Sequence, residues 1–428
     1  MRKITFLLLT VSFLFACKKN HDITPSKDNK TSYTDKIVLN DPQVTGDSLK
    51  ISWSMLDTAV FANYTLLRKD YSDGQMNSIK QLYQKNQTFV YDNAVPYSPT
   101  VQYQVVGSLA SGQTISSNVI SYSRPNIQLL NVSPFDIIYS DNDQVLYFFE
   151  KSGKISIYSI AQNTIIKSVN TMATIGYCDL GTYNGRKELY VPRNDGWVFI
   201  YDATTLEKID QISTGLSNSC VVFNNNNLYV STAAWTMRPL KVYSRINGTK
   251  ISENGDFELT RFKHVPNTDF DLLEITINIG PTDQDYYHFS TSGVFLSHTN
   301  DLYHGDYPLD ASIFEFFPDG SKYITSSSGA IYNKDMTYQI SLPRGNLSFT
   351  TFVLNQTEKL IYAGCQTKNI EVYSMTDYNH VRTISTKAYP YKIFDMGNQL
   401  LCISSATGSN CIYCTPSINN IVIEKVNK

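Results

Sequence analysis

Residues 196–212, GWVFIYDATTLEKIDQI, contain the pattern that decides the fold of this chain. Apolar and aromatic side chains fill Trp197–Tyr201, which predicts a strand. Asp202–Thr205 then supplies turn-forming residues, and the segment ending at Ile212 predicts a second strand that leads away from the turn. Altered copies of this unit recur along the C-terminal two thirds of the sequence.

The recurrence has a measurable period. The copies are Lys154–Tyr158, Trp197–Tyr201, Leu240–Tyr243, Ala330–Tyr332, Ile370–Tyr373 and Cys411–Tyr413, and their closing tyrosines lie 43, 42, 89, 41 and 40 residues apart. The double gap predicts a hidden unit between Tyr243 and Tyr332. Gly293–Ser297, GVFLS, fits that unit with Ser297 in place of the tyrosine, and we then expect an insertion near Asn254–Asp271.

A period near 40 residues with several short strands is typical of β-propeller blades. A single four-stranded sheet cannot bury both of its faces, so such sheets stack around an axis. The sequence therefore predicts an all-β fold with seven propeller blades over residues 126–428. The expected spans are Pro134–Asn170, Tyr177–Thr214, Asn218–Asn254, Asp271–Asp310, Ala311–Pro343, Leu347–Lys387 and Tyr389–Val426. Asn126–Val132 is expected either as the outer strand of the last blade or as a linker.

The repeats lack the Trp-Asp ends of WD40 units and have no Asp-box. They resemble the YVTN or quinoprotein-type propellers of exported bacterial proteins. Residues 35–125 predict a separate small β-sandwich of short strands. Its strand order resembles a fibronectin type III domain, with Trp53 matching the buried tryptophan of that family and Tyr103 its strand-F tyrosine. This part of the sequence has no cysteine pair, which argues against a disulfide-bonded immunoglobulin domain.

Residues 1–17 have the features of a targeting segment. Arg2 and Lys3 precede an uncharged apolar run that is too short for a permanent membrane span, and the run ends at Leu14–Cys17, LFAC. This segment resembles a bacterial lipoprotein signal with its lipobox, and the resemblance implies that Cys17 is lipidated and becomes the N-terminus. A plain secretory signal is the alternative. Residues 18–34 are polar and are expected to form a flexible tether.

The resemblance implies localisation at the outer membrane through the lipid on Cys17. The signal and the Tyr- and Asn-rich body resemble proteins of the Bacteroidota, in which acidic residues after the cysteine accompany surface export. Lys18 and Lys19 stand there instead, so display on the cell surface and display towards the periplasm both remain open. Nucleic acid is not expected as a partner, because the net charge is −2 and only 17% of the residues are charged.

The candidate binding residues lie in loops between the predicted second and third strands of a blade, or between blades. They are Arg193, Trp235, Arg238, Tyr389 and Tyr391. Flat aromatic surface beside hydrogen-bonding groups suits a sugar ring or a protein partner. The alternative is that these aromatic side chains cap the core at the blade rims. The expected function is a non-catalytic binding or scaffold lipoprotein of the cell envelope that recognises a glycan or an envelope protein.

An enzyme is the main alternative. No catalytic or cofactor motif stands out in the sequence, but acids and histidines cluster between residues 264 and 310. A polysaccharide lyase or glycosidase would draw on Asp283, Asp285, Asp301, Asp306 and Asp310. Groups of the kind that bind metals are present at His264, His298 and His304 with Asp301 and Asp306, but these residues have no diagnostic spacing, and neither a metal nor a cofactor is assigned. Cys411 and Cys414 form a CxxC pair that is expected to be structural, because a strand points residues three apart to opposite faces.

Overall fold

The structure is a computed structural model that describes residues 36–57, 60–71, 74–124, 127–268, 270–303, 305–408 and 420–428. Within these ranges the chain forms strands, turns and loops without a helix, so this part contains no helical segment suited to crossing a membrane. The signal with Cys17, the tether at residues 18–34, His304, and the pair Cys411 and Cys414 lie outside the described residues.

The first part of the chain forms an N-terminal unit of two antiparallel sheets, defined here as the described residues between 36 and 124. Its strands are β1 (Gln43–Thr45), β2 (Ser48–Ser52), β3 (Phe61–Lys69), β4 (Asn77–Leu82), β5 (Phe89–Asp92), β6 (Thr100–Leu109), β7 (Thr114–Ser116) and β8 (Ile120–Ser123). One sheet has the order β1–β2–β5 and the other β4–β3–β6–β7, with β8 also paired to β6.

The two sheets of the N-terminal unit enclose one apolar core. Trp53 is 3% exposed, and its ring meets that of Tyr64 edge-on at 5.4 Å between centroids. Tyr103 is fully buried, and its hydroxyl donates a hydrogen bond to Asp92 Oδ2 at 2.8 Å. The core position predicted for Trp53 is therefore confirmed.

The described residues from 127 onwards form seven sheets in sequence, numbered here sheet 1 to sheet 7. Sheet 1 contains β9 (Pro134–Ser140), β10 (Val145–Glu150), β11 (Lys154–Ser159) and β12 (Thr164–Asn170); sheet 2 contains β13 (Asp179–Tyr183), β14 (Arg186–Pro192), β15 (Trp197–Asp202) and β16 (Lys208–Ser213); sheet 3 contains β17 (Asn218–Asn224), β18 (Asn227–Thr232), β19 (Leu240–Ser244) and β20 (Lys250–Asn254). Sheet 4 contains β21 (Thr260–His264), β22 (Asp271–Thr276), β23 (Gln284–Phe289) and β24 (Phe295–Asn300). Sheet 5 contains β25 (Phe314–Phe316), β26 (Lys322–Thr325), β27 (Ala330–Asn333) and β28 (Tyr338–Ser341). Sheet 6 contains β29 (Phe349–Asn355), β30 (Leu360–Cys365), β31 (Asn369–Ser374) and β32 (His380–Ser385), and sheet 7 contains β33 (Tyr389–Asp395), β34 (Gln399–Ser405) and β35 (Ile421–Asn427).

Strands pair in chain order within each of these sheets, and every pair is antiparallel. Each sheet packs face to face on the next through buried aliphatic and aromatic side chains. Sheet 7 packs in turn on sheet 1, where Leu401 and Leu146 share one apolar cluster. The packing order therefore closes on itself, and both faces of each sheet are covered.

A β-bulge marks the repeated tyrosine. In sheets 1, 2, 3, 5 and 6 the register between the third and fourth strands shifts immediately before this residue, at Tyr158, Tyr201, Tyr243, Tyr332 and Tyr373. In sheet 4 the same shift falls between His288 and Phe289, and Phe289 is buried. Phe289 therefore occupies the tyrosine position of sheet 4.

Two expectations for this region are wrong as a result. Gly293–Ser297 forms the last turn and the beginning of the fourth strand, not the third strand, and Ser297 does not replace the tyrosine. The expected insertion near Asn254–Asp271 contains β21, the first strand of sheet 4. Its sequence, TRFKH, places charged residues along the strand, so hydrophobic content alone did not reveal it.

The expected outer strand at Asn126–Val132 is reduced in the described residues to one bridge. Leu130 exchanges two backbone hydrogen bonds of 2.9 Å with Ile421 of β35. The N-terminal unit meets the seven sheets nearby, where Tyr97 N donates to Ala406 O at 2.8 Å and Lys368 Nζ donates to Val95 O at 3.2 Å.

The four described cysteines, Cys178, Cys220, Cys365 and Cys402, are buried and unpaired.

Candidate functional site

One end of the seven sheets carries the candidate binding loops. In a meander of antiparallel strands, the loops between second and third strands and the loops between successive sheets all lie at the same end. We call this end the loop face. Around sheets 3 and 4 it contains residues 233–239, 255–259, 277–283 and 301–313, of which His304 lies outside the described residues. The predicted residues Trp235 and Arg238 belong to it.

The loop at residues 233–239 has a fixed base and an exposed tip. At the base, Thr232 N donates to Pro239 O at 3.0 Å and Ala233 N to Ser217 O at 2.6 Å. At the tip, Trp235 is 79% exposed and Met237 is 81% exposed. Apolar side chains that are presented in this way on a fixed loop suit contact with another molecule.

Arg238 lies beside this tip and is exposed. Its Nη1 lies 3.4 Å from Asn254 Oδ1, which is a long hydrogen bond. Leu302, 60% exposed, and Ile279, 44% exposed, lie in neighbouring loops of the same face. The face around sheets 3 and 4 thus combines exposed apolar side chains with one exposed cation.

Arg193 has a different environment. Its side chain is buried, its guanidinium lies 3.7 Å from the centroid of the Phe199 ring, and its Nη1 donates to Thr171 O at 2.7 Å. Asp195 pairs with Nε at 3.0 Å and also with Nη2. These contacts fix the guanidinium within its own loop region.

The two tyrosines at the start of β33 also lie within the fold. Tyr391 donates its hydroxyl hydrogen to Phe135 O at 3.0 Å, which links sheet 7 to sheet 1. Tyr389 lies near the N-terminal unit, and Lys368 Nζ is 5.5 Å from the centroid of its ring. Trp235 and Arg238 therefore lie in one exposed loop, whereas the side chains of Arg193, Tyr389 and Tyr391 contact other parts of the fold.

A cavity of about 520 Å³ lies among the first strands of the sheets. Its charged side chains include both signs and come from five sheets: Asp136, Asp179, Arg261, Lys263, Glu315 and Lys392. The sequence pattern does not reveal this set, because the first strands carry fewer apolar residues than the second and third strands do. His264, one of the histidines considered for a metal, also lines this cavity.

Most of the cavity charges are paired with each other. Arg261 Nη2 lies 3.3 Å from Asp136 Oδ2, and Lys263 Nζ lies 2.7 Å from Glu315 Oε2. Burial lowers the pKa of Lys263 to about 8 although Glu315 opposes the shift. Burial also opposes ionisation of Glu315, but Lys263 and Lys392 outweigh it and lower the pKa of that carboxyl. Each of these buried charges therefore has an opposite charge on a strand of another sheet, which offsets part of the solvation that burial removes.

A second polar cluster lies between sheets 3 and 4, close to the loop face. One ligand-type atom from each of Asp256, Asp285 and His298 lies within 4.8 Å of the others. Asp285 and His298 belong to the acids and histidines considered from the sequence, whereas Asp256 was not among them. Asp301 bonds instead to Gln284 Nε2 at 3.1 Å and to Leu302 N at 2.7 Å.

Comparisons with known proteins support the fold. No protein-family model matches the chain, and the curated proteins yield no match. Similar solved structures include the RRP9 WD40 repeats (10% identity, TM-score 0.50, 70% of this chain and 97% of that chain) and U3-55K (10%, 0.50, 71% and 98%). A third is the hydrazine synthase of Kuenenia stuttgartiensis (13%, 0.50, 72% and 99%). These likenesses show an all-β, propeller-type fold for the chain.

Proposed function

We propose that the chain is a lipid-anchored, non-catalytic binding or scaffold protein of the bacterial cell envelope. In this proposal, each of the seven sheets is one blade of a propeller, and the N-terminal unit is a fibronectin-like spacer between anchor and propeller. The loop face recognises a glycan or an envelope protein. A propeller-type fold suits such a role, because its loops present an extended surface on a rigid frame.

The observation that carries the proposal is the exposure of Trp235 and Met237, at 79% and 81%, on a loop whose base is hydrogen-bonded. Exposed tryptophan on a preorganised loop loses little conformational entropy on binding. It also offers a flat apolar face and one N–H donor, which fits either a sugar ring or a protein pocket. Arg238 adds a charged donor beside it.

A binding panel tests this role of the loop face. The purified chain is applied to immobilised envelope polysaccharides and to a glycan array, and is cross-linked to envelope proteins in intact cells. Trp235→Ala is expected to weaken binding at least about tenfold, since aromatic hot spots contribute about 2 kcal/mol or more. Tyr83→Ala is the matched control, because Tyr83 is 71% exposed on the N-terminal unit. Equal binding by both variants would remove Trp235 from the site.

The anchor is tested separately at Cys17, which lies outside the described residues. Cys17→Ser is expected to move the protein from the membrane fraction to the soluble fraction, because a lipidated terminus carries several acyl chains that hold it in the bilayer. Protease treatment of intact cells then distinguishes display on the surface from display towards the periplasm. A Cys17→Ser protein that stays in the membrane fraction would contradict the anchor.

The glycosidase or lyase alternative receives no support from the cavity. Among the described residues, none of the acids considered for it, Asp283, Asp285, Asp301, Asp306 and Asp310, lines the cavity of about 520 Å³. The release of new reducing ends or of unsaturated sugars from an envelope polysaccharide would nevertheless establish an enzyme.

A further inference from the structure

The cluster between sheets 3 and 4 contains two buried acids in direct register. Glu274 of β22 pairs with Asp285 of β23, so their side chains lie on the same face of sheet 4. Glu274 is 1% exposed and Asp285 is 0% exposed. Two adjacent buried carboxylates repel each other and lose solvation, which makes this arrangement costly unless a cation or a proton compensates.

Of the four carboxylate oxygens of these acids, Asp285 Oδ2 accepts a hydrogen bond from the Tyr287 hydroxyl at 3.3 Å, and the other three are not satisfied among the described residues. Neither carboxylate oxygen of Glu274 has a hydrogen-bond partner of good geometry among the described residues, and the same holds for Asp285 Oδ1. The Thr260 hydroxyl lies near Glu274, but it forms a 2.6 Å hydrogen bond with the Ser231 hydroxyl. Buried oxygens of this kind require an explanation.

His298 completes the arrangement. Its ring stacks on that of Tyr287 with centroids 4.5 Å apart and planes 1° apart, which fixes its orientation. Nε2 lies 3.2 Å from Asp285 Oδ2, yet this nitrogen forms no hydrogen bond of good geometry among the described residues. Nδ1 lies 4.0 Å from Asp256 Oδ2, on the loop between sheets 3 and 4. An imidazole is thus held beside two carboxylates that belong to different elements.

We propose a binding site for one divalent transition-metal ion, such as Zn²⁺ or Mn²⁺, formed by Asp256, Asp285 and His298. Glu274 pairs with Asp285 on the neighbouring strand and adds negative charge next to these ligands. An imidazole nitrogen with carboxylate oxygens is a donor set for these ions, whereas Ca²⁺ prefers oxygen ligands throughout. The bound cation offsets the repulsion between Glu274 and Asp285. It also ties the loop between sheets 3 and 4 to sheet 4, because Asp256 is the ligand from that loop.

Calorimetric titration of the EDTA-treated full chain with ZnCl₂ and with MnCl₂ tests the site. One equivalent of either ion is expected to bind, and Asp285→Asn is expected to weaken this binding at least about tenfold, since even residues behind the ligands contribute that much. Asp306→Asn is the control, because Asp306 is exposed on the same face and lies outside the cluster. The pairs His288–Asp271 and His380–Glu371 lie outside this cluster, so the loss of binding in Asp285→Asn separates the site from them.

Two further variants keep the test valid if Asp285→Asn folds poorly. Asp256 has a side chain that is 51% exposed, so Asp256→Asn should fold normally and still bind at least about tenfold more weakly. Glu274→Gln removes the repulsion, and its metal-free melting temperature is expected to exceed that of the unaltered chain. The absence of a saturable equivalent would overturn the proposal. Binding of Ca²⁺ without binding of Zn²⁺ or Mn²⁺ would also overturn it. So would Asp256→Asn and Asp285→Asn variants that bind Zn²⁺ and Mn²⁺ as tightly as Asp306→Asn does.

Discussion

At the scale of single residues, Asp179 in the cavity wall is expected to make stability depend on pH. Burial raises its pKa to about 7 although hydrogen bonds from Phe223 N and Leu180 N oppose the shift. The native state therefore keeps a proton that the unfolded chain releases above about pH 4. The stability that this proton provides is complete below that pH and is lost as the pH rises through about 7.

The variant Asp179→Asn removes this titration. The free energy of unfolding of the unaltered chain should fall relative to that of Asp179→Asn between pH 4 and pH 8, by about 1.4 kcal/mol per unit of pKa shift. Urea unfolding at intervals of one pH unit measures the difference. Asp306→Asn is the control, and parallel curves for Asp179→Asn and the unaltered chain would show that Asp179 does not titrate in this range.

At the scale of elements, the contact between sheets 2 and 3 depends on Gly176, just before β13. A Cβ atom at this position would lie 2.1 Å from Ser219 O, which belongs to the backbone of β17. The adjacent Tyr177 forms a parallel bridge with Cys220 and donates from its N to Ser219 O at 2.8 Å. A side chain at residue 176 must therefore push two sheets apart.

We expect Gly176→Ala to destabilise the protein by about 3 kcal/mol, the upper part of the usual range for overpacking. Gly397→Ala controls for backbone strain. Gly397 has φ of +80° and open space around the Cβ position, so about 1 kcal/mol is expected from its left-handed backbone alone. Chemical denaturation compares the two variants, and a loss for Gly176→Ala no larger than that for Gly397→Ala would contradict the expected crowding at Ser219.

The elements also show where sequence patterns are informative. Second and third strands such as Trp197–Asp202 were predictable, because their alternating or continuous apolar residues are a local signal. The first strand β21 was missed because Arg261, Lys263 and His264 point to partners on other sheets or to the cavity. The register of sheet 4 was also missed, since phenylalanine takes the place of the repeated tyrosine at residue 289.

At the scale of the whole molecule, Arg261 connects four sheets across the cavity. Its guanidinium pairs with Asp136 of sheet 1 at 3.3 Å and lies 4.0 Å from the centroid of the Tyr177 ring, just before sheet 2. It also donates to Ala311 O at 3.0 Å, just before sheet 5. Arg261 itself belongs to sheet 4, so this one side chain joins parts of the chain that are distant in sequence.

Arg261→Met should cost about 3–5 kcal/mol, because it leaves the Asp136 carboxylate buried without its cation. The double variant Arg261→Met, Asp136→Asn should regain part of that loss, since the unpaired charge is then removed. Thermal and urea unfolding of both single variants and the double variant measure the coupling. Additive losses would show that the pair contributes nothing of its own.

The sequence by itself determined the all-β composition and the period near 40 residues. These follow from local alternation and from repetition, which do not require knowledge of distant partners. Only the tertiary structure decided that Arg261 meets Asp136, 125 residues away, and that Asp256 and Glu274 join Asp285 and His298. Such meetings depend on how the sheets pack against one another, and a charged residue carries no local mark of the sheet on which its partner lies.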